Sequence, residues 1–241
     1  MLLARRLFES VLALVSALVF WEFLSSIYLS NSITVYIAAF LSVLTLVTGG
    51  VNIYIKDKLL EEEYIKPVII NVDKVLVYQV VKLQARRVCS ILVNLAGAVL
   101  PMLFSAIALL TIAIVKLDIL PQVLINASLL TLLYHKLSVL IKDKGVGVPI
   151  AVSIAVTVVL STTTSLCLNL NNLISFALTF ASSAIALLVG VDLMNLRRVV
   201  LFNVRKIIIG GMGAADALLL IPAASALVTV NVVRVLSALV V

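Results

Sequence analysis

Long apolar runs alternate with short polar breaks along most of the chain. A run of roughly 20 apolar residues is long enough to cross a bilayer as an α-helix. About seven such runs can be read, at 7–29, 32–55, 88–115, 119–140, 146–168, 173–196 and 214–232. The outer breaks between them are short and uncharged, Ser30-Asn31-Ser32 and 169–172, as tight hairpins between spans require. The pattern predicts an all-α, polytopic helical membrane protein, with residues 1–241 forming a single integral membrane domain. The first run continues past Trp21 with no small-residue cleavage site, so it reads as a span rather than a signal peptide.

One segment breaks the helical pattern. Residues 68–72 and 75–81 are β-branched runs separated by Asp73-Lys74. They fit a small cytoplasmic β-hairpin. They equally fit an irregular or amphipathic segment lying at the membrane interface.

Charge adds an orientation. With the N-terminus placed in the cytoplasm, all but two of the 18 Lys and Arg residues fall on the inner side, Lys116 and Arg234 being the exceptions. Basic residues accumulate in cytoplasmic loops, so this bias predicts an N-in, C-out, multi-pass protein of the cell membrane. The net charge of +7 is then a topology signal rather than a nucleic-acid footprint. Composition agrees: 63% of residues are hydrophobic and 12% charged, where a soluble domain carries about twice that charge. Soluble globular, disordered and nucleic-acid-binding classes are excluded as first readings. The lipid bilayer is the expected partner, and no cofactor is expected. One His and two distant cysteines, Cys89 and Cys167, supply neither a zinc-ligand spacing nor an obvious disulfide. No phosphate-binding Gly-x-x-x-x-Gly-Lys loop occurs, which argues against a nucleotide-driven machine. His135, beside Lys136, reads as a marker of the inner end of the fourth span.

Glycines and acids locate the candidate chemistry. The nine glycines fall in clusters at the cytoplasmic ends of spans. These are Gly49-Gly50 before Asn52, Gly97 between Asn94 and Pro101, Gly145 with Gly147 before Pro149, Gly190 before Asn195, and Gly210-Gly211 with Gly213. Glycine and proline in membrane helices permit close approach or a break. The clusters suggest a common cavity near the inner leaflet, shaped by Gly190, Asn195, Gly210, Gly211, Gly213, Asn94, Pro101, Gly147, Pro149 and Asn52. Two carboxylates accompany them. Asp192 lies five residues before Arg197, about 7 Å of helix rise. Asp216 lies in the first turn after the Gly210–Gly213 break. An up-down hairpin would bring both to similar depth.

Intramembrane carboxylates are costly and mark function by default. Two close together share a proton and titrate as one pair. That suits an aspartyl hydrolase, in which one carboxylate takes a proton from water and the other protonates the carbonyl oxygen. It equally suits proton-coupled transport. The structural alternative is that Asp192 pairs with Arg197 or Arg198 while Asp216 caps its own helix. A non-catalytic membrane scaffold would then be the outcome.

At these residues the chain resembles the domain of unknown function 1614 family of prokaryotic membrane proteins. The likeness rests on Gly50-Val51-Asn52-Ile53, on Asn94 to Pro101, on Gly145-Val146-Gly147-Val148-Pro149, on Gly190 to Leu196, and on Ile209 to Asp216. Ala96 stands where the family usually has a second glycine. The chain also resembles, more weakly, the presenilin and signal-peptide-peptidase intramembrane aspartyl proteases. Gly211-Met212-Gly213 supplies the Gly-x-Gly of their Gly-x-Gly-Asp motif, with two alanines inserted before Asp216. The first aspartate of those proteases lies on the preceding span, as Asp192 does, although Val191 replaces their usual Tyr. Their Pro-Ala-Leu motif has no counterpart on a later span. This second resemblance implies Asp192 and Asp216 as catalytic residues and a membrane-embedded peptide as substrate, cleaved near the cytoplasmic leaflet.

Overall fold

The computed structural model describes residues 43–45, 47–72, 75–141, 145–201 and 206–240. The expected first span, and the second before residue 43, lie outside them, as do residues 202–205 of the basic loop. Five described helices are long and apolar enough to cross a membrane: Leu95–Val115, Leu117–Leu137, Ile150–Cys167, Asn172–Val199 and Ala217–Leu239. They coincide with the third to seventh apolar runs. The expected count of seven and the N-in orientation reach beyond the described residues.

Two of these helices change character along their length. The first begins as a π-helical turn, Leu95–Val99, and continues as α1 (Leu100–Val115). Pro101 sits in the first turn of α1, where a missing N–H leaves no bond unmade. It therefore starts a helix and does not break one. Next come α2 (Leu120–Leu137) and α3 (Ile150–Cys167). Helix α4 (Asn172–Leu187) passes through a second π turn, Leu188–Leu193, into the short α5 (Met194–Leu201). The last described helix is α6 (Ala217–Val240), which continues past the end of the last apolar run at 232.

Helix α4 is the centre of the bundle. The apolar stretch within Asn172–Val199, which contains α4, is 83% buried, against 33% for those of α1, α2 and α3. Its sequence explains this. Ser175, Ala177, Thr179, Ala181, Ser182, Ser183, Ala184 and Ala186 are small and buried, so α1, α2 and α6 approach it closely. Helices in lipid gain little from apolar burial and associate through such packing instead. Around it, Leu103, Ile107, Leu110 and Ile114 of α1 form an exposed apolar stripe at helical spacing, the face a bilayer would solvate. One interior cluster centres on Ile112, Val123, Ile174, Leu178 and Val230. A second, nearer the strands, centres on Leu130, Tyr134, Leu187, Val191, Leu218 and Ile221.

The all-α expectation needs correction. Strands β1 (Asn52–Val72) and β2 (Val75–Asn94) form one antiparallel ribbon, in register from Asn52↔Asn94 to Val72↔Val75 with an irregularity between Tyr54 and Lys56. At about 3.4 Å per residue it is roughly 70 Å long. The hairpin expected over 68–81 is its tip. A small sheet also forms at its base, where β5 (Lys206–Ile209) pairs parallel to β2, from Ser90↔Lys206 to Val93↔Ile209. Residues 88–94 therefore belong to a strand rather than to the third span. Their hydropathy fits either state, and pairing with β1 on one side and the Ile-rich β5 on the other makes them a strand. Likewise residues 52–55 leave the second span for β1. Two short strands, β3 (Val139–Ile141) and β4 (Gly145–Gly147), pair beyond α2 and trim the fourth and fifth spans.

All the strands lie at one end of the bundle, where α1, α3 and α6 begin and α2 and α5 finish. Several of the glycines approach backbone there, in two groups. A Cβ on Gly97 would strike the carbonyl oxygen of Gly210 and come within 2.8 Å of that of Gly213. Gly210 and Gly213 hold left-handed φ values of 69° and 62°. A Cβ on Gly213 would lie 2.7 Å from the Gly49 carbonyl oxygen. By contrast, one on Gly50 meets nothing within 4 Å. Gly97→Ala is therefore expected to cost about 3 kcal/mol or more, and Gly50→Ala less than about 0.5 kcal/mol. Thermal unfolding of the purified chain in detergent checks both.

Candidate functional site

The first group is built around Asn94, the last residue of β2. Its side chain is buried and fully used. Nδ2 donates to the Gly49 carbonyl at 2.9 Å and to Asn52 Oδ1 at 3.1 Å, while Oδ1 accepts from the Gly97 backbone N–H at 2.8 Å. Asn94 thereby caps the π turn that opens α1 and ties it to the end of the second apolar run. Gly97 then meets the Gly210–Gly213 turn, which leads to Asp216.

Asp216 is clasped by backbone. Its Oδ2 accepts from the Met212 N–H at 3.2 Å, and its Oδ1 from the Leu218 N–H at 3.1 Å. The carboxylate therefore closes the glycine turn and caps α6, where negative charge is favoured. The capping role anticipated for this residue is present. Gly211 stands at the exposed edge of that turn.

The second group surrounds Asp192, in the π turn of the central helix. A π turn inserts a residue and swings the remainder of the helix round its axis by about 100°. Gly190 in the same turn lies against α2, since a Cβ there would be 2.5 Å from the Thr131 carbonyl oxygen. Asn195 is buried, and its Nδ2 donates to the Val191 carbonyl at 2.9 Å and to Ser138 Oγ at 3.0 Å. Gly147 lies in β4, which packs against this turn. Pro149 is the N-cap residue of α3, and neither it nor Pro101 contacts an aspartate through a hydrogen bond.

Asp192 and Asp216 are both half-buried and lie within electrostatic range of each other. Among the described residues the Asp192 carboxylate has no hydrogen bond and no ion pair. Pairing with Arg197 or Arg198 is not formed, and both arginines are exposed. The two carboxylates thus differ. One is held by two backbone donors, while the other has no hydrogen bond among the described residues. A group of three or more His, Cys, Asp or Glu able to hold a metal is absent among the described residues.

His135 and Ser138 belong to this site, although the sequence marks His135 only as the end of a span and Ser138 not at all. His135 Nδ1 lies 3.1 Å from the Gly190 carbonyl oxygen. Ser138 Oγ donates to the His135 carbonyl at 2.7 Å. No motif signals them, because α2 meets the π turn only in three dimensions.

Five described helices of membrane-crossing length and apolarity are those of a helical membrane protein. The chain belongs to the family described as protein of unknown function (DUF1614), whose model matches residues 46–228. No curated protein and no solved structure matches it.

Capping makes the choice of substitution at Asp216 important. Asp216→Ala is expected to lower stability by about 1 kcal/mol, whereas Asp216→Asn keeps the cap within a few tenths. The difference reads out as separated unfolding temperatures of the two variants.

Proposed function

We propose that the chain is a diaspartyl intramembrane hydrolase that cleaves membrane-embedded peptides near the cytoplasmic leaflet. Asp192 and Asp216 are its acid/base pair. One observation carries this reading: among the described residues Asp192, on the most buried of the membrane-length helices, has no hydrogen bond or ion pair and feels the charge of Asp216. A carboxylate left so placed is expensive unless it works.

The asymmetry of the pair assigns the roles. Two backbone N–H donors favour charge on Asp216, so the single proton of the pair resides on Asp192. Asp216 takes a proton from a water molecule as its oxygen attacks the peptide carbonyl carbon. Asp192 gives its proton to the carbonyl oxygen, forming a neutral gem-diol. The proton gained by Asp216 then passes to the amide nitrogen. The C–N bond breaks, leaving a carboxyl and an amine, and the gem-diol proton returns to Asp192. The π turns and the Gly210–Gly213 turn support this reading, because π turns recur at functional sites and irregular backbone is tolerated at membrane depth where protein covers it.

Reconstitution in liposomes with reporter spans tests the proposal. Asp192→Asn and Asp216→Asn are each expected to reduce cleavage at least ~100-fold. Wild-type rates in both variants would sink it. The same broken helices with polar groups also suit a small proton-coupled transporter. In that case reporter spans stay intact, while solute uptake driven by a pH gradient is lost in both variants.

The cytoplasmic placement has its own check. Cys167 is a free, exposed thiol at the end of the bundle away from the strands. In intact cells a membrane-impermeant maleimide is expected to label it. Lys206→Cys in a Cys167→Ser background should react only after the cells are permeabilised. The reverse pattern would overturn the orientation.

A further inference from the structure

Among the described residues Asp192 has no hydrogen bond or ion pair, so its direction follows from the turn that carries it. The π turn that carries it is held from outside its own helix, and the hold comes from α2. The Gly190 carbonyl can only accept a hydrogen bond, so the His135 ring nitrogen facing it at 3.1 Å must carry the proton. That fixes the tautomer as Nδ1–H. Asn195 Nδ2 approaches the same nitrogen at 3.5 Å, a contact between two donors and no bond. The Asn195 amide instead bonds to Val191 O and Ser138 Oγ, and it reaches Gly190 O at 3.3 Å. Ser138 passes the connection back to the His135 carbonyl. Two consecutive carbonyls, Gly190 and Val191, are thus satisfied by side chains. These are the carbonyls immediately before Asp192, and side-chain donors there relieve a turn that departs from ordinary helix spacing.

We propose that His135, together with Ser138, is a positioning residue for Asp192: it holds the π turn open from α2 so that Asp192 faces Asp216. This rests on the aspartate pair being the working site. Only Gly fits at position 190, since the Thr131 carbonyl excludes a Cβ, so α2 reaches the turn closely enough for His135 to bond its backbone. Without that bond the turn relaxes toward regular α spacing, and the residue at 192 rotates away from Asp216.

The test reads geometry and not activity. The full chain, with Cys89→Ala and Cys167→Ser, carries Asp192→Cys and Asp216→Cys and is placed in lipid nanodiscs. A short bifunctional methanethiosulfonate then cross-links the two positions. Adding His135→Ala is expected to slow cross-linking about fivefold, as the loss of one ordinary hydrogen bond would. His135→Asn places an amide N–H where the ring Nδ1–H was and restores the rate. His135→Gln places it one bond further out and does not. A protein merely loosened by the loss of the imidazole would treat Asn and Gln alike. Equal rates in all four proteins, or rescue by Gln as good as by Asn, overturn the positioning role alone. No cross-link with His135 in place overturns the aspartate pair, and the positioning role with it.

Discussion

The carbonyl oxygen of Gly210 rests against the Cα of Gly97, leaving no room for a side chain on either strand of backbone. The rest of the strand-bearing end depends on that contact. Gly97 belongs to the first turn of the helix leading into α1, Gly210 to the turn before α6, and Gly49, against Gly213, to the end of the second apolar run. Asn94 bonds across the same place, to Gly49, Asn52 and Gly97. Three chain segments far apart in sequence are therefore clamped within one backbone's thickness. The parallel pairing of β5 with β2 runs directly into the clamp, since its last rung is Val93↔Ile209. Asp216 is positioned as a consequence, because its carboxylate closes the turn that begins at Gly210.

The other carboxylate is placed by a different device. Asp192 rides on the one helix that the bundle surrounds, and small side chains on α4 let its neighbours close in. That closeness has a cost visible in the core. Among the described residues Ser153, Ser161, Ser165, Ser175, Ser225 and Thr229 are buried with hydroxyls that find no hydrogen-bond partner. An unmet buried hydroxyl costs on the order of 1–3 kcal/mol. Packing around α4 offsets this, and it leaves the π turn at the end of α4 as the point where the helix departs from regularity. Asp216 thus follows a glycine clamp, and Asp192 sits in a π turn whose carbonyls side chains meet.

Several elements were readable in the linear chain because their physics is local. Apolar runs of bilayer length define spans whatever surrounds them, and the five described helices follow the runs. Asp192 and Asp216 stood out because carboxylates are rare beside apolar runs, and the capping role of Asp216 followed from its place at the start of a helix. Other elements had no local signature. Residues 88–94 are as apolar as a helix start, and they become a strand because Asn52–Leu59 pairs with them on one side and Lys206–Ile209, over a hundred residues later, pairs with 90–93 on the other. The glycine clusters suggested one cavity. Which backbone each glycine meets had no local signature, with Gly97, Gly210 and Gly213 meeting each other and Gly190 meeting Thr131.

Hydropathy and charge act residue by residue, so the linear chain alone specifies the solvent, the approximate spans and the two acids that merit testing. Which face each acid presents, and what holds it there, depends on packing in three dimensions. Among the described residues Asp192 has no hydrogen bond, while Asp216 takes two from backbone. His135, which reads in the chain as the polar end of a span, proves to support the turn beside Asp192. The reason is geometric: a hydrogen bond to a carbonyl on another helix depends on how closely the two helices pack. That closeness is set by a glycine 55 residues away in the chain.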